Sequence, residues 1–185
     1  MKFLHIFAFI LCAACSAPQS EQQTASITQD KLVDIEQRIK DMGIELSIPS
    51  KPVANYVNSV RTGNLVFMAG KGPRNDDNSL ITGKVGKDLT VEEGYAAARR
   101  VAIGQLGALK AEIGDLNKVK RFVKVLGMVN CTSDFGNQPE VINGFSDLIV
   151  EIFGEKGKHA RAAVGMGSLP RNIAVEIEMI VEVEN

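Results

Sequence analysis

Between residues 174 and 183 the chain sets Val175, Ile177, Met179, Val181 and Val183 at every second position, with Glu176, Glu178, Ile180 and Glu182 between them. Side chains alternate faces along an extended backbone, so this run predicts a β-strand with one face on a core and the other turned outward. A half-buried sheet needs a second layer to cover its apolar side. Upstream periodicities supply that layer. Thr90-Val91-Glu92-Glu93 has the capping-box form and opens a helix whose stripe is Tyr95, Ala98, Ala102, Leu106 and Leu109, ended by Gly114. Pro139 stands in the first turn of a second helix, with Val141, Ile142, Phe145, Leu148, Ile149 and Ile152 at helical spacing until Gly154.

The remaining segments read as strands and connections. Residues 119–129 are β-rich and continuous enough for a central strand, and residues 160–166 form another. Residues 56–61 and 65–69 are strand-like on either side of Thr62-Gly63-Asn64, a hairpin turn, and residues 72–88 are mostly loop. Ahead of them Leu32, Ile35, Ile39 and Met42 mark a short helix stopped by Gly43, and Pro49 and Pro52 keep the next segment extended. The order predicts an α+β two-layer domain, a mixed sheet with two helices on one face. On the outward face Glu176, Glu178 and Glu182 cannot be buried unpartnered, whereas Ile180 invites cover; a symmetric assembly answers both demands.

At 185 residues and 45% hydrophobic content the chain can bury one core. Its 21 basic and 22 acidic residues leave a net charge of −1, with no global field for nucleic acid or an anionic membrane. Lys2 and the apolar residues 3–11 read as an export signal too short to span a bilayer. Leu11-Cys12-Ala13-Ala14-Cys15 resembles a bacterial lipobox with Cys15 as the lipid-bearing residue; ordinary cleavage after Ala17 is the competing reading, and a buried N-terminal strand a third. Residues 1–15 are thus the leader, the polar residues 16–29 a tether, and residues 30–185 the domain. The expected address is periplasmic, with a membrane contact only through the Cys15 lipid. Cys131 is then alone in the folded part and reads as a small packed side chain.

Arg161 sits near the start of the first of the last two strand runs, and Glu176 lies on the second of them. A guanidinium is always charged and presents paired donors that match a carboxylate, so Arg161 could hold a small anion. It could equally form an ion pair with Glu176 or Glu178. Glu176 could carry protons if burial raises its pKa, or be a solvated carboxylate like its neighbours. His159 has no second His or Cys nearby and reads as a loop residue. Gly83-Lys84-Val85-Gly86-Lys87 lacks the spacing of a phosphate loop and reads as a turn.

Together, Asn55-Tyr56, Thr62-Gly63-Asn64-Leu65-Val66-Phe67, Ala69-Gly70-Lys71-Gly72-Pro73, Thr90-Val91-Glu92-Glu93, Ala160-Arg161-Ala162-Ala163-Val164, Leu169-Pro170 and Val175-Glu176-Ile177-Glu178 resemble the reactive intermediate deaminase family. The same family is called RidA, YjgF-like or endoribonuclease L-PSP-like, and the resemblance covers residues 47–184. It implies a chorismate-mutase-like fold and a homotrimer with a cleft at each subunit interface holding a small carboxylate-bearing ligand. It implies hydrolysis of enamines and 2-imino acids to 2-oxo acids and ammonia, without metal or organic cofactor. Arg161 would grip the substrate carboxylate, Glu176 would stand by the attacking water, Tyr56 would line the cleft, and Gly70 would admit backbone to the ligand. Many family deaminases carry cysteine two residues after the arginine; here Ala163 offers only its backbone carbonyl to orient water. Two other readings follow from the resemblance: a carboxylate-binding module without turnover, and an endoribonuclease, against which the neutral charge and few aromatics count.

Overall fold

The computed structural model describes residues 34–46 and 54–185; the expected leader, Cys15 and the tether lie outside them. In chain order the elements are α1 (Ile35–Asp41), β1 (Ser59–Thr62), β2 (Leu65–Lys71), α2 (Val91–Ile113), β3 (Val119–Asn130), α3 (Gln138–Phe153), β4 (Ala160–Met166) and β5 (Val175–Val183). The strands form one five-stranded sheet in the order β1-β2-β5-β3-β4. Only β3 and β4 run parallel, joined through α3, so the sheet is mixed. Helix α2 packs over β2 and β5, and α3 over β3 and β4. The expected two-layer α+β architecture is the observed one.

The alternating strand β5 lies at the centre of the sheet. Val175, Ile177, Met179, Val181 and Val183 are buried beneath the helices with Phe122, Val125, Leu106, Phe145 and Leu148. Glu176, Glu178, Ile180 and Glu182 face the other way, as the alternation requires. The Thr90 hydroxyl accepts from the Glu93 N–H (3.2 Å) while the Glu93 carboxylate accepts from the Thr90 N–H (2.7 Å), closing the anticipated capping box. Gly114 ends α2 with φ +82°. Pro139 occupies the first turn of α3, and Gly154 ends it.

Boundaries shift at the N-terminal side. Asp34 caps α1 (Ile35–Asp41) through its side chain, while Leu32 of the expected stripe, and Pro49 and Pro52, lie outside the described residues. Strand β1 starts at Ser59, which leaves Tyr56 ahead of the sheet, in the segment leading to its edge. Residues 72–88 are held without regular strands by isolated bridges, Val85 pairing with both Leu89 and Cys131.

The outward sheet face is incompletely covered. Val60, Phe67, Val164 and Met166 lie on or beside it with 57, 42, 39 and 36% of their surface exposed. A hollow of about 260 Å³ runs between Val57, Val60, Phe67, Lys124, Glu178 and Ile180.

Candidate functional site

Three carboxylates share the outward face of β5, and their surroundings separate them. Glu182 accepts from Asn64 Nδ2 (2.9 Å) and Arg121 Nε (2.8 Å) and pairs with Lys120 (3.4 Å). Arg121 first, and Lys120 with it, lower its pKa. Glu178 is exposed. Glu176 is half-buried, and among the described residues no donor reaches its carboxylate. Burial, with the like charge of Glu178 adding to it, raises its pKa above the ordinary carboxylate value. Of the three, Glu176 alone is both half-buried and without a donor.

Gly70 explains how that carboxylate is seated. The β2–β5 register runs regularly from Leu65 to Met68 and shifts between Met68 and Lys71, so Gly70 falls in a bulge. A Cβ built on Gly70 would land on Glu176 Oε1. The missing side chain gives its space to the carboxylate. Behind the bulge, Gln105 of α2 is fully buried and donates from Nε2 to the carbonyls of Ala69 (2.9 Å) and Ile177 (2.6 Å), one on each strand. Gly70→Ala should displace the Glu176 carboxylate and slow any reaction that depends on it about tenfold or more, given the sensitivity of catalysis to 1 Å displacements. A variant that keeps wild-type turnover would show that the seat does not matter.

Arg161 stands on the edge strand β4, opposite Val125 of β3, and so shares the helix-covered side. It pairs with neither Glu176 nor Glu178. Its Nη1 instead donates to Asn143 Oδ1 (2.9 Å) and Ser146 Oγ (3.0 Å), both on α3. The two acceptors are neutral, no carboxylate neutralises the guanidinium among the described residues, and Nε and Nη2 are left for an anion. Ala163, two residues on, pairs with Gly127 and packs on the core, contributing only backbone to the edge.

The structure therefore distributes the expected site. In register, Glu176 lies level with Met128 and Val164, two strands and three residues from Arg161, on the opposite face. Their backbones are roughly 14 Å apart at standard sheet spacings. Tyr56 is 53% exposed. It lies two residues before Asn58, whose carbonyl accepts from Ala69 N (2.9 Å), which puts it at the β1 edge near Gly70. From the β1 edge to the β4 edge is four strand steps, roughly 19 Å. Tyr56, Gly70 and Glu176 share one region, while Arg161 and Ala163 occupy another.

Sequence reasoning did not find Asn143, Ser146 or Gln105. The pair Asn143 and Ser146 is spaced by three beside the apolar stripe of α3, and Gln105 falls three residues after Ala102 on the buried stripe of α2; polar residues at such places are the signal that was there. His159 is more than a loop residue: it is half-buried, with Nε2 3.0 Å from Ser146 Oγ. Cys131 is buried and free, 3.8 Å from Gln138 Nε2, as a packed side chain.

Comparisons with known proteins agree with this frame. The protein TCP17 of Trypanosoma cruzi is 43% identical over 148 residues, spanning 80% of this chain and 92% of that one. A crystal structure of an Agrobacterium tumefaciens protein of unknown function is 42% identical and superposes with a TM-score of 0.75, covering 83% of this chain and 96% of its own. The 2-iminobutanoate/2-iminopropanoate deaminase of Dermatophagoides farinae is 27% identical over 142 residues, 76% of this chain and 95% of the deaminase. Residues 36–183 match the family described as "YjgF/chorismate mutase-like, putative endoribonuclease", and the chain belongs to that YjgF/RidA-like family.

Proposed function

We propose that the protein hydrolyses reactive 2-imino acids and their enamine tautomers to 2-oxo acids and ammonia, in clefts between the subunits of a homotrimer. The observation that carries this reading is Arg161: a half-buried guanidinium oriented by two neutral acceptors and lacking a carboxylate partner is prepared for an anion. The distance between the two halves of the site supports assembly, because no small ligand spans roughly 14 Å of sheet. A second copy laid over the uncovered sheet face would supply the other half and bury Phe67 and Val60.

In that cleft the substrate carboxylate binds the Nε and Nη2 edge of Arg161, which fixes the C=N group toward Glu176 of the neighbouring copy. Glu176, with its raised pKa, takes a proton from water as the oxygen attacks the imine carbon, and returns it to the nitrogen. The hydroxyl proton of the carbinolamine then passes through Glu176 to the nitrogen, the C–N bond breaks, and ammonia departs, leaving the 2-oxo acid. One water is consumed, and no redox partner is needed.

A carboxylate-binding module without turnover is the second reading, favoured by Ala163, which brings neither thiol nor hydroxyl to the arginine edge. One experiment decides. An imino acid generated in situ by an amino-acid oxidase should be converted faster with the protein than without it, and Arg161→Ala should lower the rate at least about 100-fold, the loss of a charge-assisted bidentate contact. Equal rates with and without protein would end the enzyme reading. Binding of 2-oxobutyrate that Arg161→Ala removes, without turnover by wild type, would establish the module.

A further inference from the structure

We propose that Ser146 and His159 are positioning residues for Arg161: a hydrogen-bond chain from the Gly157 carbonyl through the imidazole and the Ser146 hydroxyl holds the guanidinium for its ligand, and holds it only while the imidazole is neutral. The inference rests on the reading of Arg161 as the carboxylate grip.

The direction of every bond follows from the first. His159 Nδ1 lies 2.7 Å from the Gly157 carbonyl, which can only accept, so Nδ1 carries the hydrogen. In the neutral ring Nε2 is then an acceptor, and the Ser146 hydroxyl, 3.0 Å away, donates to it. The hydroxyl's lone pairs thereby face the other way and accept from Arg161 Nη1 at 3.0 Å. Asn143 Oδ1, 2.9 Å from the same nitrogen, fixes the second direction. Four groups, two from α3 and two from the turn before β4, thus set one guanidinium.

Burial keeps the imidazole neutral, since it lowers the His159 pKa, and the positive charge of Arg161 lowers it further against the opposing bond to Gly157. The Phe145 ring stands edge-on to it, with centroids 6.4 Å apart. Glu140 stands exposed in the first turn of α3, and the charged groups nearer the imidazole on α3 and on the turn before β4 are engaged elsewhere. Lys158 pairs with Glu155 at 2.6 Å, and Lys156 donates to the Val119 carbonyl (3.2 Å). On α3, Asp147 accepts from the Tyr95 hydroxyl (3.0 Å) and Glu151 from Arg99 (3.1 Å). Lys124 of β3, level with Ala160, belongs to the opposite sheet face. Protonation would put a hydrogen on Nε2, turn the Ser146 lone pairs toward it, and set two cations on one oxygen. Arg161 would then lose its fixed direction.

Calorimetric titration of the full chain with 2-oxobutyrate, ionised throughout the range, between pH 5 and 8 tests this. Wild-type affinity should fall about tenfold toward acid, the size of one charge-assisted hydrogen bond. His159→Gln, which cannot titrate, should bind with little change across the range. Ser146→Ala should bind about tenfold more weakly at pH 7.5, and Ser146→Thr, which keeps the hydroxyl, should restore affinity. Titration of Glu176 is common to wild type and His159→Gln, so their difference isolates the imidazole. Loss of binding in Arg161→Ala together with an unchanged acid response in His159→Gln would overturn the relay while keeping the site. Wild-type binding by Arg161→Ala, or no binding by any form, would overturn the site itself.

Discussion

Glu176→Gln is expected to cut imine hydrolysis by a factor of about 10²–10⁴, the worth of a positioned acid–base group, while leaving the protein at least as stable as wild type at neutral pH. The two effects share one cause. Half-burial without a donor disfavours the ionised carboxylate, so the pKa of Glu176 is raised in the folded state. A group whose folded pKa exceeds its unfolded one favours folding in its protonated form, and that contribution is lost as pH rises through the folded value. Above that pH wild type carries an unpaired, part-buried charge that glutamine, nearly the same in shape, never acquires. Thermal denaturation from pH 4 to 8 should show the two proteins converging at the acid end and the variant melting higher at the alkaline end. Glu182, held below its ordinary pKa by Arg121 and Lys120, should show the opposite slope when replaced by glutamine. Full turnover in Glu176→Gln would remove Glu176 from the reaction. A variant that melts below wild type at pH 8 would show that the carboxylate has a stabilising partner.

Such a trade of stability for chemistry is visible in the sequence only in outline. The alternation over 175–183 set the face on which Glu176 stands, because a period of two is a property of the backbone alone. It could not distinguish Glu176 from Glu178 and Glu182, which follow the same pattern. What separates them is the bulge at Gly70 on one neighbouring strand, and Asn64 and Arg121 around Glu182, all brought there by pairing over more than fifty residues of chain. Arg161 illustrates a different limit. The spacing of its neighbours predicted strand β4, but an ion pair with Glu176 required the two to share a face, and the parallel register with Val125 puts Arg161 under α3 instead. Its acceptors Asn143 and Ser146 are uncharged, so charge pattern held no trace of them. Helix limits were legible where Thr90, Pro139, Gly114 and Gly154 mark them chemically. The strand expected at Tyr56 was not, since β1 pairs only as far as Ser59 opposite Met68, where β2 enters its bulge, and that limit is set by tertiary pairing.

Gly144→Ala should be the most damaging conservative change in the chain, costing about 3 kcal/mol, at the upper end of overpacking. Helices α2 and α3 pack against each other on the sheet, and Gly144 is buried between them. A Cβ there would collide with the carbonyl oxygen of Tyr95, part of the α2 backbone, which cannot rotate away as a side chain would. The helices must separate. Separation strains the outer clasp, in which Tyr95 donates to Asp147 (3.0 Å) and Arg99 pairs with Glu151 (3.1 Å), one helical turn apart on each helix. It also opens the core beside Phe145 and Leu148, both fully buried. At a domain of this size the loss corresponds to a Tm lower by roughly 6–12 °C. Gly104→Ala is the matched control: it lies in the interior of α2, and its Cβ would meet nothing within 4 Å, so the gain in helix propensity, up to about 1 kcal/mol, should raise Tm. Because α3 also carries Asn143 and Ser146, any Gly144→Ala protein that still folds should bind 2-oxobutyrate more weakly than wild type, whereas Gly104→Ala should bind equally well. Equal melting of Gly144→Ala and wild type would refute the close helix contact. Weakened melting with unchanged binding would show that the Arg161 edge is set by β4 alone.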